Sequence, residues 1–260
     1  MNRFPRWAWL PFTGGLALLA VPLLGMLTRV PWGRLPGLLA SDRSLDALRL
    51  SLVTCLISTG IVLVLGVPMA LVLARSHGAW TSAARTLVTV PMVLPPVVAG
   101  LALLVTFGRR GLIGAPLSAL GIEIGFTTIA VILAQSFVSL PFLVVSLEGA
   151  LRASGGAYEE VAGNLGASPS RVFWRVTLPM AGPALASGTA LAFARSLGEF
   201  GATLTFAGSL QGTTRTLPLE IYLLRESDSE LALALSLVLV VVAVVIVGVA
   251  TRLRAWGEHG

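Results

Sequence analysis

Six long runs without a charged residue constrain this chain more than any other feature of its sequence. The runs are 7–28, 50–74, 86–108, 124–147, 176–194 and 231–251. Each holds at least 19 residues, and a helix of that length, at about 1.5 Å per residue, spans a hydrocarbon core roughly 30 Å thick. Because lipid offers no hydrogen-bond partners, the backbone groups of each run must pair within the segment. The pattern predicts an all-α polytopic membrane protein with six transmembrane helices.

The charge composition agrees with this interpretation. Charged residues make up 12% of the chain, against about 25% in a typical soluble domain. The net charge is +6, but the arginines are scattered through short loops, so membrane topology explains them and no nucleic-acid partner is expected. All eighteen basic residues are arginine, and without lysine the chain lacks the P-loop signature that holds the phosphates of ATP.

No metal centre or intrachain disulfide is expected from the sequence. The only histidines are His77 and His259, and the single cysteine is Cys55, inside the second run. A zinc site draws its ligands mostly from these two residue types, and a disulfide needs two cysteines. Cys55 is therefore interpreted as a small buried apolar residue.

The first run is interpreted as a retained span. Arg3 and Arg6 precede it, as in a signal peptide, but it is longer than the roughly 7–15 apolar residues of a signal peptide and has no convincing cleavage site. Six spans place both termini on the same side of the membrane. Outside the spans this side receives nine arginines and the other side eight, so the excess of basic residues in cytoplasmic loops hardly decides the orientation.

Two spans contain residues that a simple apolar helix would avoid. Pro95 and Pro96 belong to a proline cluster in the third run, which indicates either a broken helix that lines a pathway or ordinary transmembrane prolines that serve packing. Arg195 and Glu199 follow the fifth run within apolar sequence. Their spacing of four residues places them on one helical face. Two interpretations stay open, a pair that neutralises itself and an arginine that lines the path of an anion.

A polar island between the fourth and fifth runs predicts two short helices. One apolar stripe with the spacing of a helical face is formed by Tyr158, Val161, Ala162 and Leu165. Glu159 and Glu160 stand near the start of this helix, where its dipole favours carboxylates. Gly166 suits a left-handed C-terminal cap, and Ser168 followed by Pro169 predicts that a second helix begins at once. The stripe can enter a groove of another protein, pack on its own bundle or lie on lipid.

The same island carries the pattern E-x-A-x3-G-x9-[IV]-x-L-P. Its residues are Glu160, Ala162, Gly166, Val176, Leu178 and Pro179. The pattern resembles the coupling loop of ABC importer permeases, with Val161 at the usual position of the middle alanine. The resemblance implies a type I ABC importer permease, a non-catalytic subunit whose loop 155–179 contacts a separate cytoplasmic ATPase. The residues expected to serve this coupling are Glu159, Glu160, Ala162, Gly166, Leu178 and Pro179.

The resemblance also implies a domain organisation and an orientation. We expect an N-terminal span with an external loop at 1–47, a transmembrane domain at 48–254 and a short tail at 255–260. Because ATP is cytoplasmic, the coupling loop and both termini are expected on the cytoplasmic side of a bacterial plasma membrane. No cofactor is expected in this chain, since ATP and Mg²⁺ belong to the ATPase partner.

A second resemblance concerns the solute. The segments 94–100 and 194–222 resemble molybdate permeases, with sulfate and thiosulfate permeases as more distant relatives. The resemblance implies a homodimer, two ATPase subunits and an extracytoplasmic oxyanion-binding protein. Candidates for the translocation path are Arg195, Ser196, Glu199, Thr203, Pro95 and Pro96. A tungstate or sulfate permease, a permease for another solute class and an ATP-independent channel are the alternatives.

Overall fold

The computed structural model describes residues 5–257. Within this range every regular element is a helix, after a short 3-10 turn at Arg6–Ala8. The helices are α1 (Trp9–Arg29), α2 (Leu35–Leu39), α3 (Asp42–Arg75), α4 (Ala79–Val93), α5 (Pro96–Phe107), α6 (Gly114–Ala119), α7 (Thr128–Ala153), α8 (Ala157–Asn164), α9 (Pro169–Val172), α10 (Leu178–Met180), α11 (Gly182–Leu197), α12 (Gly201–Ala207), α13 (Leu217–Ser227) and α14 (Ser229–Gly257). A π-helical turn, Phe173–Thr177, joins α9 to α10. The all-α prediction is confirmed, and residues 258–260 of the predicted tail lie outside the described range.

The six predicted spans correspond to four continuous helices and two bent pairs. Helices α1, α3, α7 and α14 are each long and apolar enough to cross a membrane. Helices α4 and α5 meet at 115°, and the helical segment Pro169–Met180 meets α11 at 72°. The fifth span is therefore not the straight helix that the run 176–194 predicts, because the chain bends between Met180 and Gly182.

Helix α3 is longer than its apolar run. It begins at Asp42, whereas the run begins at Leu50, and the predicted domain boundary at residue 48 falls inside it. The additional turns contain charged residues, among them Arg43 and Arg49. Charge marks where a helix leaves the hydrocarbon region, but it does not end the helix, since a chain in water can continue the same backbone hydrogen bonds.

The centre of the molecule is a close-packed trio of α3, α7 and α11. Leu143 of α7 is fully buried between the other two helices. A Cβ atom on Gly66 would lie 3.0 Å from Leu143 Cδ2, and one on Gly188 would lie 3.2 Å from Leu143 Cδ1. Small residues let membrane helices approach closely where no hydrophobic effect drives them together. The two glycines therefore set how near α3 and α11 come to α7.

The broken third span packs against the element that follows the fifth span. Gly100 of α5 lies so close to α12 that a Cβ atom there would be 2.7 Å from the carbonyl oxygen of Ala202. Gly201, at the start of α12, would place a Cβ atom 2.8 Å from Pro96. The break at Leu94 and Pro95 thus turns α5 so that its glycine face meets α12. Of the two interpretations of the proline cluster, the broken helix is the one observed, and its role in a pathway stays a prediction.

Candidate functional site

Residues 155–179, called the coupling segment here after the resemblance that predicts its role, fold into two helical stretches separated by a left-handed turn. Gly166 has φ +83°, and its N–H donates to the carbonyl of Gly163 at 2.9 Å. The N–H of Ala167 donates to the carbonyl of Ala162 at 3.0 Å, so the turn satisfies the free carbonyls at the end of α8. A Cβ atom on Gly166 would meet nothing within 4 Å. Glycine is favoured here by the backbone angle alone, and the predicted cap is confirmed.

The second helix also begins where the sequence predicts. Ser168 is in extended conformation immediately before Pro169, the first residue of α9, although its hydroxyl makes no capping hydrogen bond. After the π-helical turn, Leu178 and Pro179 form the start of α10. Leu178 is half-buried, and Pro179 is exposed. The two residues lie just before the 72° bend that leads into α11.

Most of the apolar stripe on α8 faces away from the protein. Helix α8 has no buried residue. Tyr158 is 64% exposed and Leu165 is 84% exposed, with Val161 between them also exposed and Ala162 half-buried. Trp174 adds a further exposed aromatic ring on the π-helical turn. Of the three locations left open by the sequence, packing on the chain's own bundle does not account for the stripe.

Glu159 and Glu160 are neighbours in sequence but have different surroundings. Glu160 is exposed. The Glu159 carboxylate turns inward, where its Oε1 accepts hydrogen bonds from Arg75 Nη2 at 2.5 Å and from Thr177 Oγ1 at 3.2 Å. Arg75 is the last residue of α3, and Thr177 ends the π-helical turn. No sequence pattern connects these two residues to Glu159, so the sequence analysis missed both.

A second polar cluster ties the end of α3 to α4 and α7. Arg85 Nε donates to Glu148 Oε1 at 2.5 Å, and its Nη2 donates to the carbonyl of Leu73 at 2.6 Å. Arg152 lies 3.7 Å from the same Glu148 oxygen. Glu148 is buried, and a buried carboxylate persists where cations neutralise it. Arg85 and Arg152 are two of the nine arginines that the sequence analysis counted outside the spans on one side, and their common partner Glu148 was not foreseen.

The charged turn, residues 195–202, joins α11 to α12. Arg195 Nη1 lies 2.6 Å from Glu199 Oε2, as the four-residue spacing predicts. Glu199 is only 1% exposed, and its Oε1 accepts the N–H of Ala202 at 2.7 Å. Both carboxylate oxygens are therefore used, one by the arginine and one by the first turn of α12. The self-neutralising pair is confirmed, and a role of Arg195 in an anion path stays a prediction.

The remaining path candidates lie in two different surroundings. Ser196 is buried, and its Oγ accepts from Ser58 Oγ of α3 at 3.2 Å. Thr203 is buried as well, and its Oγ1 has no hydrogen-bond partner among the described residues. Pro95 and Pro96 are exposed at the break between α4 and α5. The structure brings Pro96 beside Gly201 of the charged turn. The side chains of Ser196 and Thr203 are instead buried between helices.

A pair of a half-buried arginine and a buried glutamate, near the first turns of α3, also escaped the sequence analysis. Arg215 Nη1 lies 3.3 Å from Glu220 Oε2, and Glu220 is buried at the start of α13. Arg215 Nη2 donates to the carbonyl of Ser209 at 3.2 Å, which fixes the loop between α12 and α13. Across residues 5–257, no three His, Cys, Asp or Glu side chains come together as metal ligands.

Solved structures share this fold. A chain of a bacterial ABC transporter involved in the import of the polysaccharide alginate superposes with a TM-score of 0.66 at 22% sequence identity, over 96% of this chain and 94% of that one. A chain of the MetNI methionine ABC transporter gives a TM-score of 0.62 at 18% identity, over 84% of this chain and 99% of that one. The fold is that of the membrane-spanning subunits of ABC importers.

Sequence comparison supplies the family. Residues 63–256 match the sequence family described as binding-protein-dependent transport system inner membrane component. The chain belongs to this family. It is the multi-pass permease component of an ABC importer.

Several curated relatives share this assignment. The molybdenum transport system permease protein of Mycobacterium tuberculosis is 59% identical over 226 residues, 87% of this chain and 86% of the relative. Its counterpart in Escherichia coli K12 is 39% identical over 72% of this chain and 82% of the relative. A sulfate transport system permease protein of Synechococcus elongatus is 38% identical over 68% of this chain and 63% of the relative.

Proposed function

We propose that this chain carries molybdate across the bacterial plasma membrane as the permease of an ATP-driven importer. The observation that carries the proposal is the coupling segment, which holds an exposed apolar stripe beside an exposed carboxylate at Glu160. The cargo is inferred from the molybdenum permeases to which most of the chain is similar. Molybdate and sulfate are both tetrahedral dianions, so the similarity to a sulfate permease fits the same class of solute.

The apolar stripe of α8 supports coupling to a separate ATPase. A short amphipathic helix can place such a stripe in a groove of a partner, where burial of each large side chain contributes about 1.5–3 kcal/mol. The partner in this proposal is a pair of cytoplasmic ATPase subunits that bind ATP and Mg²⁺. Both termini and the coupling segment then lie in the cytoplasm. A second copy of this chain completes the pathway, and an external oxyanion-binding protein delivers the solute.

In this proposal the charged turn does not bind the anion tightly. A transport path must release the ion that it receives, so a free buried arginine would hold a dianion too firmly. Glu199 neutralises Arg195 at 2.6 Å, and this removes most of its attraction. Ser196 and Thr203 are buried, so in this proposal their hydroxyls reach the solute only after α11 and α12 move.

Uptake by the complete complex tests the proposal. The permease is reconstituted in proteoliposomes with its ATPase and its binding protein, and labelled molybdate is followed with and without ATP. We expect uptake of labelled molybdate to require ATP. Unlabelled molybdate and tungstate should inhibit this uptake more strongly than sulfate does. Stronger competition by sulfate would identify a sulfate permease. Equal uptake without ATP would identify a channel and would refute the proposal.

A further inference from the structure

Helix α8 has little attachment to the rest of the molecule. It buries no residue, and the elements that it packs against are α9 and the π-helical turn, which belong to the same segment. Among the described residues, hydrogen bonds that tie α8 to α3 and to the π-helical turn meet at the carboxylate of Glu159. A helix that must pass on movement from a partner needs a firm connection to the helices that it moves.

The connection at Glu159 joins three elements at one carboxylate. Arg75 is the end of α3, Thr177 lies on the π-helical turn that leads into the fifth span, and Glu159 belongs to α8. The guanidinium of Arg75 also lies against Gly156, where a Cβ atom would be 2.8 Å from Nη1. Gly156 has φ +85°, so glycine both permits the turn into α8 and leaves room for the arginine.

The end of α3 is itself firmly held. Arg85 of α4 binds the carbonyl of Leu73, two residues before Arg75, and binds Glu148 of α7 with the same guanidinium. A movement delivered to Arg75 therefore reaches α3, α4 and α7 together. The second oxygen of Glu159, Oε2, is buried without a hydrogen-bond partner among the described residues. Its charge is thus compensated chiefly by Arg75.

We propose that Arg75, Glu159 and Thr177 form a joint that transmits the movement of α8 to α3 and to the fifth span. The inference rests on the proposed function, since it needs an ATPase that moves α8. The three are positioning residues, which do not contact the solute or the nucleotide. Without the joint, the apolar stripe still contacts the ATPase, but α8 pivots on Gly156 and Gly166. ATP is then hydrolysed without a matching movement of the transmembrane helices.

The ratio of ATP hydrolysed to molybdate transported measures this role. Glu159→Gln, Arg75→Gln and Thr177→Val are each compared with the wild type in proteoliposomes that hold the complete complex. We expect normal assembly with the ATPase and, for the two variants that remove a charge, a ratio at least about fivefold higher, the lower end of typical coupling between sites. Thr177→Val removes one neutral donor, so a smaller rise is expected. Arg252→Gln removes an exposed arginine outside the coupling segment, and its ratio should equal that of the wild type.

A charge exchange separates coupling from simple stability. Arg75→Glu and Glu159→Arg should each raise the ratio alone, and the double exchange should bring it back toward the wild-type value. An unchanged ratio in Glu159→Gln and Arg75→Gln, with normal coupling in the wild type, would overturn the joint and leave the proposed function intact. A double exchange no better than its single variants would also overturn it. Absence of ATP-driven uptake in the wild type would refute the proposed function and the joint together.

Discussion

The coupling segment and the charged turn both place carboxylates beside apolar sequence, but they use them in opposite ways. In the charged turn Glu199 is 1% exposed, and the chain itself supplies partners to both of its oxygens. In the coupling segment Glu160 and the apolar side chains of α8 are exposed. A charge that is satisfied internally serves the fold, whereas an apolar stripe that the chain itself leaves uncovered is available to a partner, as the proposed function requires.

This difference predicts where substitutions act. Changes in the charged turn should lower the stability of the permease before they affect any single step of transport. Changes on the exposed face of the coupling segment should leave the stability unchanged and weaken contact with the ATPase. Glu159 shares features of both regions. It belongs to α8, but its carboxylate turns inward and accepts a hydrogen bond from Arg75.

The largest effect is expected from Glu199→Gln. The amide cannot neutralise Arg195, and breaking a buried ion pair typically costs about 3–5 kcal/mol. Thermal unfolding of the purified permease in detergent measures the loss. Glu226→Gln is the control, because Glu226 is 79% exposed and pairs only with its neighbour Arg225. An unchanged unfolding temperature for Glu199→Gln would contradict a structural role for the charged turn.

Gly100→Ala should have the next largest effect. The added methyl group would meet the backbone of Ala202 at 2.7 Å, and overpacking of this kind costs about 1–3 kcal/mol. The same thermal measurement applies, and Gly60→Ala is a matched control because no atom lies within 4 Å of the Cβ position there. If Gly100→Ala were as stable as Gly60→Ala, α5 would not be fixed to α12 as the structure has it.

Leu165→Asp should leave stability unchanged and weaken ATPase binding. Leu165 is 84% exposed, so the fold loses no packing, while a carboxylate placed in an apolar contact, if Leu165 is one of its main contacts, costs about 2 kcal/mol or more of binding energy. Titration of the permease with the ATPase measures the affinity. Leu112→Asp is the matched control, since Leu112 is 83% exposed and follows the third span rather than lying in the coupling segment. Equal affinities for the two variants would show that the stripe on α8 is not the contact surface.

The smallest effect is expected at the turn between the two short helices. In Gly166→Ala the new side chain meets no atom within 4 Å, so only the left-handed backbone angle opposes it, at a cost of about 1–2 kcal/mol. We expect a modest fall in the rate of molybdate uptake. Gly163→Ala lies in the regular part of α8, also with free space, and should transport at the wild-type rate. An equal rate for both variants would show that the cap geometry is not needed.

The sequence was sufficient where structure depends on neighbours along the chain. The apolar runs, the cap at Gly166, the break at Pro95 and the pair of Arg195 with Glu199 all follow from spacings of a few residues. Contacts between distant parts of the chain could not be predicted. Glu159 and Arg75 are 84 residues apart, and Arg85 and Glu148 are 63 residues apart. Only the fold, which sets α8 beside the end of α3 and α4 beside α7, brings these side chains together.

The bend in the fifth span shows a different limit. The run 176–194 contains no charged residue, and hydropathy does not distinguish a straight helix from one that turns near its first residues. Pro179 and Pro183 offered a signal, because each removes a backbone donor and favours a break. Transmembrane helices often contain proline without a sharp bend, so the position of the 72° turn emerged only from the fold.

ATP-dependent uptake by the Leu165→Asp permease tests the central claim most directly, that the coupling segment is the surface through which an ATPase drives transport. The variant and the wild type are reconstituted at equal amounts, after thermal unfolding has shown equal stability, and labelled molybdate is counted inside the vesicles. We expect uptake by the variant to fall to the level seen without ATP. Uptake at the wild-type rate would contradict the claim.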